Sequence, residues 1–193
     1  KNSEMNDLDF MNLPFLRIVN FENCTYTGKP FDANNIYFSY MLFDYCDSDF
    51  IKNFENIEVS NLFISRTELE DLTYITDNFK NINSLTLYLS TVKSMKGIEK
   101  FSNLEKLDLY GIFCEDMWLI ENLTNLKELQ LSYLSVDDIA FVKNLPLTLL
   151  TAYEDFIMNL SKVNKKIVAK ITKFTLLTLL ILHISSKFLT FGV

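Results

Sequence analysis

Residues 104–125, slid forward by 22 positions, reproduce their own apolar pattern. Leu104, Leu107, Leu109, Cys114, Asp116, Met117, Ile120 and Leu123 fall on Leu126, Leu129, Leu131, Val136, Asp138, Ile139, Val142 and Leu145. The same slide backwards meets Ile82, Leu85, Leu87, Val92, Ser94, Met95, Ile98 and Phe101. A fixed period of this length means a supersecondary unit that cannot bury its apolar face alone and stacks on copies of itself. Looser copies precede these three, through Val59, Leu62, Ile64, Leu69, Asp71, Leu72, Ile75 and Phe79, and through Ile36, Phe38, Phe43, Ile51 and Phe54. Leu13, Leu16, Val19, Phe21 and Tyr26 match again near the start, and Leu150, Ala152, Ile157, Leu160, Val163 and Ile167 form a weak last unit.

The L-x-x-L-x-L core, followed by D-[IM]-x-x-[LIV]-x-x-L, resembles the short leucine-rich repeats of internalin-like and SDS22-like proteins over roughly residues 8–150. The resemblance implies an α/β solenoid, a horseshoe with a parallel sheet on its concave side and short helical or 3-10 segments on its convex side. Residues 1–155 are assigned to the solenoid and 156–193 to a last repeat or cap with an apolar tail. One departure stands out. The family usually carries an asparagine five positions after the first strand leucine, where its side chain satisfies turn backbone groups. Here those positions hold Thr67, Ser90, Ile112 and Leu134, with Cys24 near the start. The asparagine ladder is therefore missing, and the turns need other partners, since a buried unpaired backbone group costs on the order of 1–3 kcal/mol.

Each unit predicts a short strand, such as 106–109 and 128–131, pairing in parallel with its neighbours. Strand alternation then sends Leu107 and Leu109 inward and Asp108 outward. The segments 116–123 and 138–145 place apolar residues three or four apart, as one or two helical turns require. Asp71, Asp116 and Asp138 stand where an N-cap belongs. The outward strand positions are Phe63, Ser65, Thr86, Tyr88, Asp108, Tyr110, Gln130 and Ser132, flanked by Arg66, Leu89 and Tyr133. Facing water, they are free to be chosen for a partner, and aromatic residues mixed with a few charges are the usual anchors of protein interfaces.

The chemistry of an enzyme is missing. The chain has a single histidine, His183, within the apolar run TLLILHISS, and no second ligand or base beside it. Four glycines leave little room for a phosphate-binding loop, and no nucleophile-elbow, Walker or zincin motif occurs. Cys24, Cys46 and Cys114 lack metal spacing. Cys24 and Cys114 read as inward residues, whereas Cys46, in the irregular unit, reads as an exposable one. No cofactor is expected. A net charge of −7 disfavours nucleic acid as a partner, because phosphates are neutralised by lysine and arginine. Asn23, Asn122 and Asn159 begin N-x-[ST] triplets, common by chance in an asparagine-rich chain.

From Lys165 the chain turns basic and then apolar. Its uninterrupted apolar run, residues 174–184, is 11 residues long, against the roughly 20 that a membrane-spanning helix needs. The sequence thus predicts a non-catalytic module that binds a protein on its concave strand face. The alternative is a membrane-tethered surface or adhesion protein held by residues 174–193.

Overall fold

Among the described residues, seven strands lie side by side, all parallel, in the order in which the chain makes them. They are β1 (Ile18–Glu22), β2 (Tyr37–Asp44), β3 (Ile57–Ser65), β4 (Ser84–Tyr88), β5 (Lys106–Tyr110), β6 (Glu128–Ser132) and β7 (Leu149–Ala152). The two-residue strand Phe79–Lys80 pairs with the start of β3. The structure is a computed structural model, and it describes residues 3–5, 7–32, 36–134 and 140–152. Val136, Asp138 and Ile139 of the third firm repeat, the weak unit beyond Ala152, the division at 155, His183, Asn159 and the apolar segment 174–193 lie outside the described residues.

Every strand exists because its alternate residues have a column to join. Val19, Met41, Leu62, Leu85, Leu107, Leu129 and Leu150 stand in register across the sheet, and so do Phe21, Phe43, Ile64, Leu87, Leu109, Leu131 and Ala152. All of them are buried. The register corrects the reading of the second unit. Phe38 pairs with Val59 and Met41 with Leu62, so the unit opens on Phe38 rather than Ile36, and Met41 takes a column position. Leu13, matched to the repeat from sequence, is 57% exposed and so stands outside the columns.

The chain returns to the sheet through α1 (Ser48–Lys52), α2 (Thr73–Asn78) and the 3-10 segments Ile98–Lys100, Met117–Asn122 and Ala140–Asn144. These lie across the core from the sheet and bury Phe50, Ile51, Ile75, Ile98, Met117, Ile120, Phe141 and Val142 against it. In the irregular early rungs the interior is phenylalanine. Phe21 stacks on Phe43 at 5.3 Å, and Phe43 meets Phe54 at 5.2 Å and Phe50 at 5.9 Å, edge to face. Rings are bulkier than leucines, and here the spacing of the first inward residue departs from 22: Phe38, Val59 and Ile82 stand in successive units.

The turns after the strands hold a substitute for the missing asparagines. Cys24, Cys46, Thr67 and Ser90 occupy successive rungs and are all buried. Thr67 Oγ1 donates to the carbonyl of Cys46 at 2.9 Å, Ser90 Oγ accepts from Thr67 N at 3.2 Å, and Cys46 Sγ reaches the carbonyl of Phe21 at 3.5 Å. Hydroxyl and thiol groups thus hold the turn backbone across rungs until Ile112 replaces them with an apolar side chain, 1% exposed. Cys46 is therefore not exposable, contrary to the sequence reading, and burial pushes its thiol up to about 12.

The aspartates divide into two roles. Asp71 accepts from Thr73 N, the first residue of α2, at 2.8 Å, but the N-cap position there belongs to Leu72, one residue later than expected. Asp116 holds the N-cap position of Met117–Asn122 but makes no side-chain bond to that segment. Its carboxylate turns to the rung before, accepting from Met95 N at 2.7 Å and Ser94 Oγ at 2.5 Å, and from Cys114 Sγ at 2.9 Å. The second unit contains a cap that the sequence reading passed over: Asp47 accepts from Phe50 N at 2.6 Å.

Two outcomes follow from this packing. Leu107→Ala should cost roughly 2–5 kcal/mol in denaturant unfolding, whereas Gln130→Ala, on the other side of the sheet, should stay within about 0.5 kcal/mol of the parent. For Asp116, burial raises the carboxyl pKa, but the bonds from Cys114, Ser94 and Met95 outweigh it and hold the group below its ordinary value. A depressed folded value stabilises the fold above the unfolded value, and that contribution is lost as pH falls through the folded one. Asp116→Ala should therefore unfold about 1–3 kcal/mol more easily at neutral pH, with the gap closing in acid melts.

Candidate interaction face

The side of the sheet turned away from the core carries three rows of side chains in register, the first running Tyr40, Asn61, Ser84, Lys106, Glu128 and Leu149. The middle row runs Leu42, Phe63, Thr86, Asp108, Gln130 and Thr151, and the row beside it runs Asp44, Ser65, Tyr88, Tyr110 and Ser132. Thr86, Asp108 and Gln130 thus come together in one line, and the tyrosines in the next. Tyr88 and Tyr110 stack with ring centres 4.5 Å apart and planes 18° from parallel. That spacing is the strand spacing itself, so the sheet sets the stacking. Phe63 extends the ladder at 6.2 Å from Tyr88, and Tyr133 at 4.9 Å from Tyr110.

Two of the residues expected on this face are not available to a partner. Ser65 is 2% exposed and Ser132 fully covered. Both alternate outward as expected, but a serine is short and its neighbours are long. Ser65 lies between Asp44 and Tyr88 in the register, and Arg66, 3.5 Å from its hydroxyl, bridges to Asp44 above it. Ser132 pairs with Tyr110 and precedes Tyr133, whose two rings occupy the surface around it. Phe63, Thr86, Tyr88, Asp108, Tyr110 and Gln130 are half-buried rather than fully exposed. For Asp108 this has an electrostatic result: desolvation raises its carboxyl pKa, partly opposed by Lys106, and its Oδ1 is buried with no hydrogen-bond partner.

A fourth row lies at the ends of the strands, and it is the part that sequence reasoning reached only in pieces. The residue after each strand from β1 to β6 has a left-handed backbone: φ is 52° at Asn23, 53° at Tyr45, 51° at Arg66, 49° at Leu89, 63° at Gly111 and 52° at Tyr133. In each rung from β1 to β5 its amide donates to the last strand carbonyl of the next rung, as Tyr45 N does to Ser65 O at 3.0 Å and Leu89 N to Tyr110 O at 2.7 Å. The turn needs this conformation, which a non-glycine residue adopts at roughly 1–2 kcal/mol. Glycine or asparagine would hold it with less strain, yet four of the six are large. Gly111 has a local reason, since a Cβ there would meet Leu89 Cδ2 at 2.6 Å.

The large residues of this row border the aromatic ladder. The Arg66 guanidinium lies 4.9 Å from the Tyr45 ring centre and 5.7 Å from that of Tyr88, while its NH1 pairs with Asp44 at 2.8 Å. Tyr45, Arg66, Glu68, Leu89 and Thr91 line a depression of about 410 Å³. Tyr45, Leu89 and Tyr133 are 56%, 46% and 64% exposed, so these left-handed turns carry their side chains to solvent. The signal that finds them in the sequence is the residue after each strand core, repeating at the rung spacing; Tyr45 is missed because its unit is irregular.

No protein-family model and no curated protein matches this sequence. In three dimensions the chain is similar to internalin C2 from Listeria monocytogenes, with a TM-score of 0.55 and 16% identity, over 84% of this chain and 74% of that one. That likeness, with the seven-strand parallel sheet, shows the fold expected from the repeats: a leucine-rich-repeat solenoid.

The left-handed row makes a prediction of different size for one and the same change. Tyr133→Gly gives up the ring contact with Tyr110 but relieves backbone strain, and should stay within about 1 kcal/mol of the parent in denaturant unfolding. Tyr110→Gly, inside β5, introduces strand entropy and removes a stacked ring, and should cost about 1–2 kcal/mol.

Proposed function

We propose that this solenoid is a non-catalytic interaction module that holds a protein partner on the open face of its sheet, through Tyr88, Tyr110 and the residues around them. Leucine-rich-repeat folds are typically non-catalytic and generally serve to bind proteins. The observation that carries the choice of face is the left-handed row. Tyr45, Arg66, Leu89 and Tyr133 keep strained backbones at turns where glycine would fold better, and together they edge a stacked ladder of tyrosines. Strain retained at several equivalent places points to use of the side chains. Aromatic residues and arginine supply most anchors of protein interfaces, because they bury much area while losing little side-chain freedom.

Phe63, Thr86, Asp108 and Gln130 complete the proposed contact surface. Ser65 and Ser132 drop out of it, and Tyr45, Arg66, Leu89 and Tyr133 take their place. Among the described residues no helix is long and apolar enough to cross a membrane, so a tethered alternative rests on residues 174–193 alone.

The test is affinity capture with three versions of the full chain: parent, Tyr88→Ala with Tyr110→Ala, and Trp118→Ala on the opposite side of the core, where Trp118 is 55% exposed. The tyrosine pair should lose the captured protein while its circular dichroism stays that of the parent, and Trp118→Ala should keep it. Loss with Trp118→Ala and retention with the tyrosine pair would place the interface elsewhere.

A further inference from the structure

Among the described residues Asp108 is the one charged residue of the middle row, and no group donates a hydrogen bond to its Oδ1. Lys106, two residues back, attracts the carboxylate without a hydrogen bond to it, while its ammonium also pairs with Glu128 at 3.8 Å; further along, Arg66 pairs with Asp44 at 2.8 Å. Thr86 and Gln130 flank Asp108 in the same register row, yet Oδ1 receives a hydrogen bond from neither. Leu107 and Leu109, its chain neighbours, point the other way and are fully buried, so the carboxylate is backed by core. A buried acceptor without a donor is a standing penalty, and a desolvated carboxylate a larger one than a neutral group. Diagonally next to it lie the stacked rings of Tyr88 and Tyr110, one row over. A carboxylate lacking a donor beside aromatic faces is the combination that suits a cation. The charge takes the hydrogen bonds, and the ring quadrupoles attract the same group from the side.

We infer that the segment bound on the open face is cationic, with one arginine or lysine side chain of the partner seated at Tyr88 and Tyr110 and donating to Asp108. This rests on the open-face reading above and narrows it to the partner's charge. The remaining charges agree, because the Arg66–Asp44 and Lys106–Glu128 pairs are each neutral within themselves and leave Asp108 as the unbalanced charge among them. The whole chain, at −7, favours approach of a basic segment over an acidic one. The raised carboxyl pKa of Asp108 is what an acceptor held out of water without a donor should show.

The experiment is a selection from a random-peptide phage library on the immobilised full chain, run in parallel on Tyr88→Ala with Tyr110→Ala and on Asp108→Asn. The pool that binds the parent should be enriched in arginine and lysine over the input library, and Asp108→Asn should remove that enrichment. A selected peptide should bind about tenfold more weakly to Asp108→Asn, and equally so when its critical arginine is replaced by the neutral isostere citrulline. The two changes together should weaken binding no more than either alone, as expected of direct partners. Asp108→Asn should unfold at the parent's midpoint or above it, which separates lost contact from lost fold. Peptides that need the tyrosines but show no cationic enrichment, or that bind Asp108→Asn and the citrulline form as the parent pair, would overturn the charge assignment and leave the face standing. Peptides indifferent to both sets of substitutions, or a selection yielding no binder, would overturn the two together.

Discussion

In-register parallel pairing is the constraint from which the rest of this molecule follows. A strand in such a sheet finds partners for its backbone only if every lap of chain returns to the same height, one strand spacing further on. The leucine columns meet that demand from inside. From outside it is met by the left-handed residue after each strand, whose amide carries the hydrogen-bond ladder one residue beyond the extended segment. Each lap contacts mainly the laps before and after it, so stability accumulates rung by rung rather than through one central core. The early laps, filled with phenylalanine, keep the same register with different volumes, which shows that the pairing tolerates changes in packing that it would not tolerate in alignment.

Polar atoms near the turns are settled by position rather than by residue type. Where the internalin-like pattern has a column of asparagines, this chain uses thiol, hydroxyl and finally aliphatic side chains in succession, and the hydroxyls of Thr67 and Ser90 bond turn backbone groups of the neighbouring rung. Asp116 shows the same economy on the other side of the lap, joining two rungs with a carboxylate that stands where a helix cap would. Both cases bind neighbouring laps together, and so they reinforce the register that the columns establish.

What could be read from the sequence divides along physical lines. Periodicity is a property of the sequence alone, and it located the columns Leu85, Leu107 and Leu129 and the direction of Asp108. Exposure belongs to neighbourhoods. Ser65 and Ser132 do alternate outward, but their cover comes from Arg66, Tyr110 and Tyr133, residues of other rows or other rungs. The destination of Asp116 could not be read locally, because capping and cross-rung bonding place the same residue type at the same point in the lap. The second unit alone was misframed, Ile36 for Phe38, since Met41 and the phenylalanines disguise the leucine spacing. The row of left-handed backbones, Tyr45 included, leaves no mark in composition, for these residues are not the glycines or asparagines that announce such a conformation.

The strain of that row arises where Cβ crowds the following carbonyl, so it is nearly the same for tyrosine, arginine and leucine. Exchanges among large side chains at positions 45, 66, 89 and 133 are then close to neutral for folding, provided glycine is not the starting point. A solenoid built this way carries a line of interchangeable sockets along one rim. Its preference for a guest could drift over generations without a single compensating change in the interior.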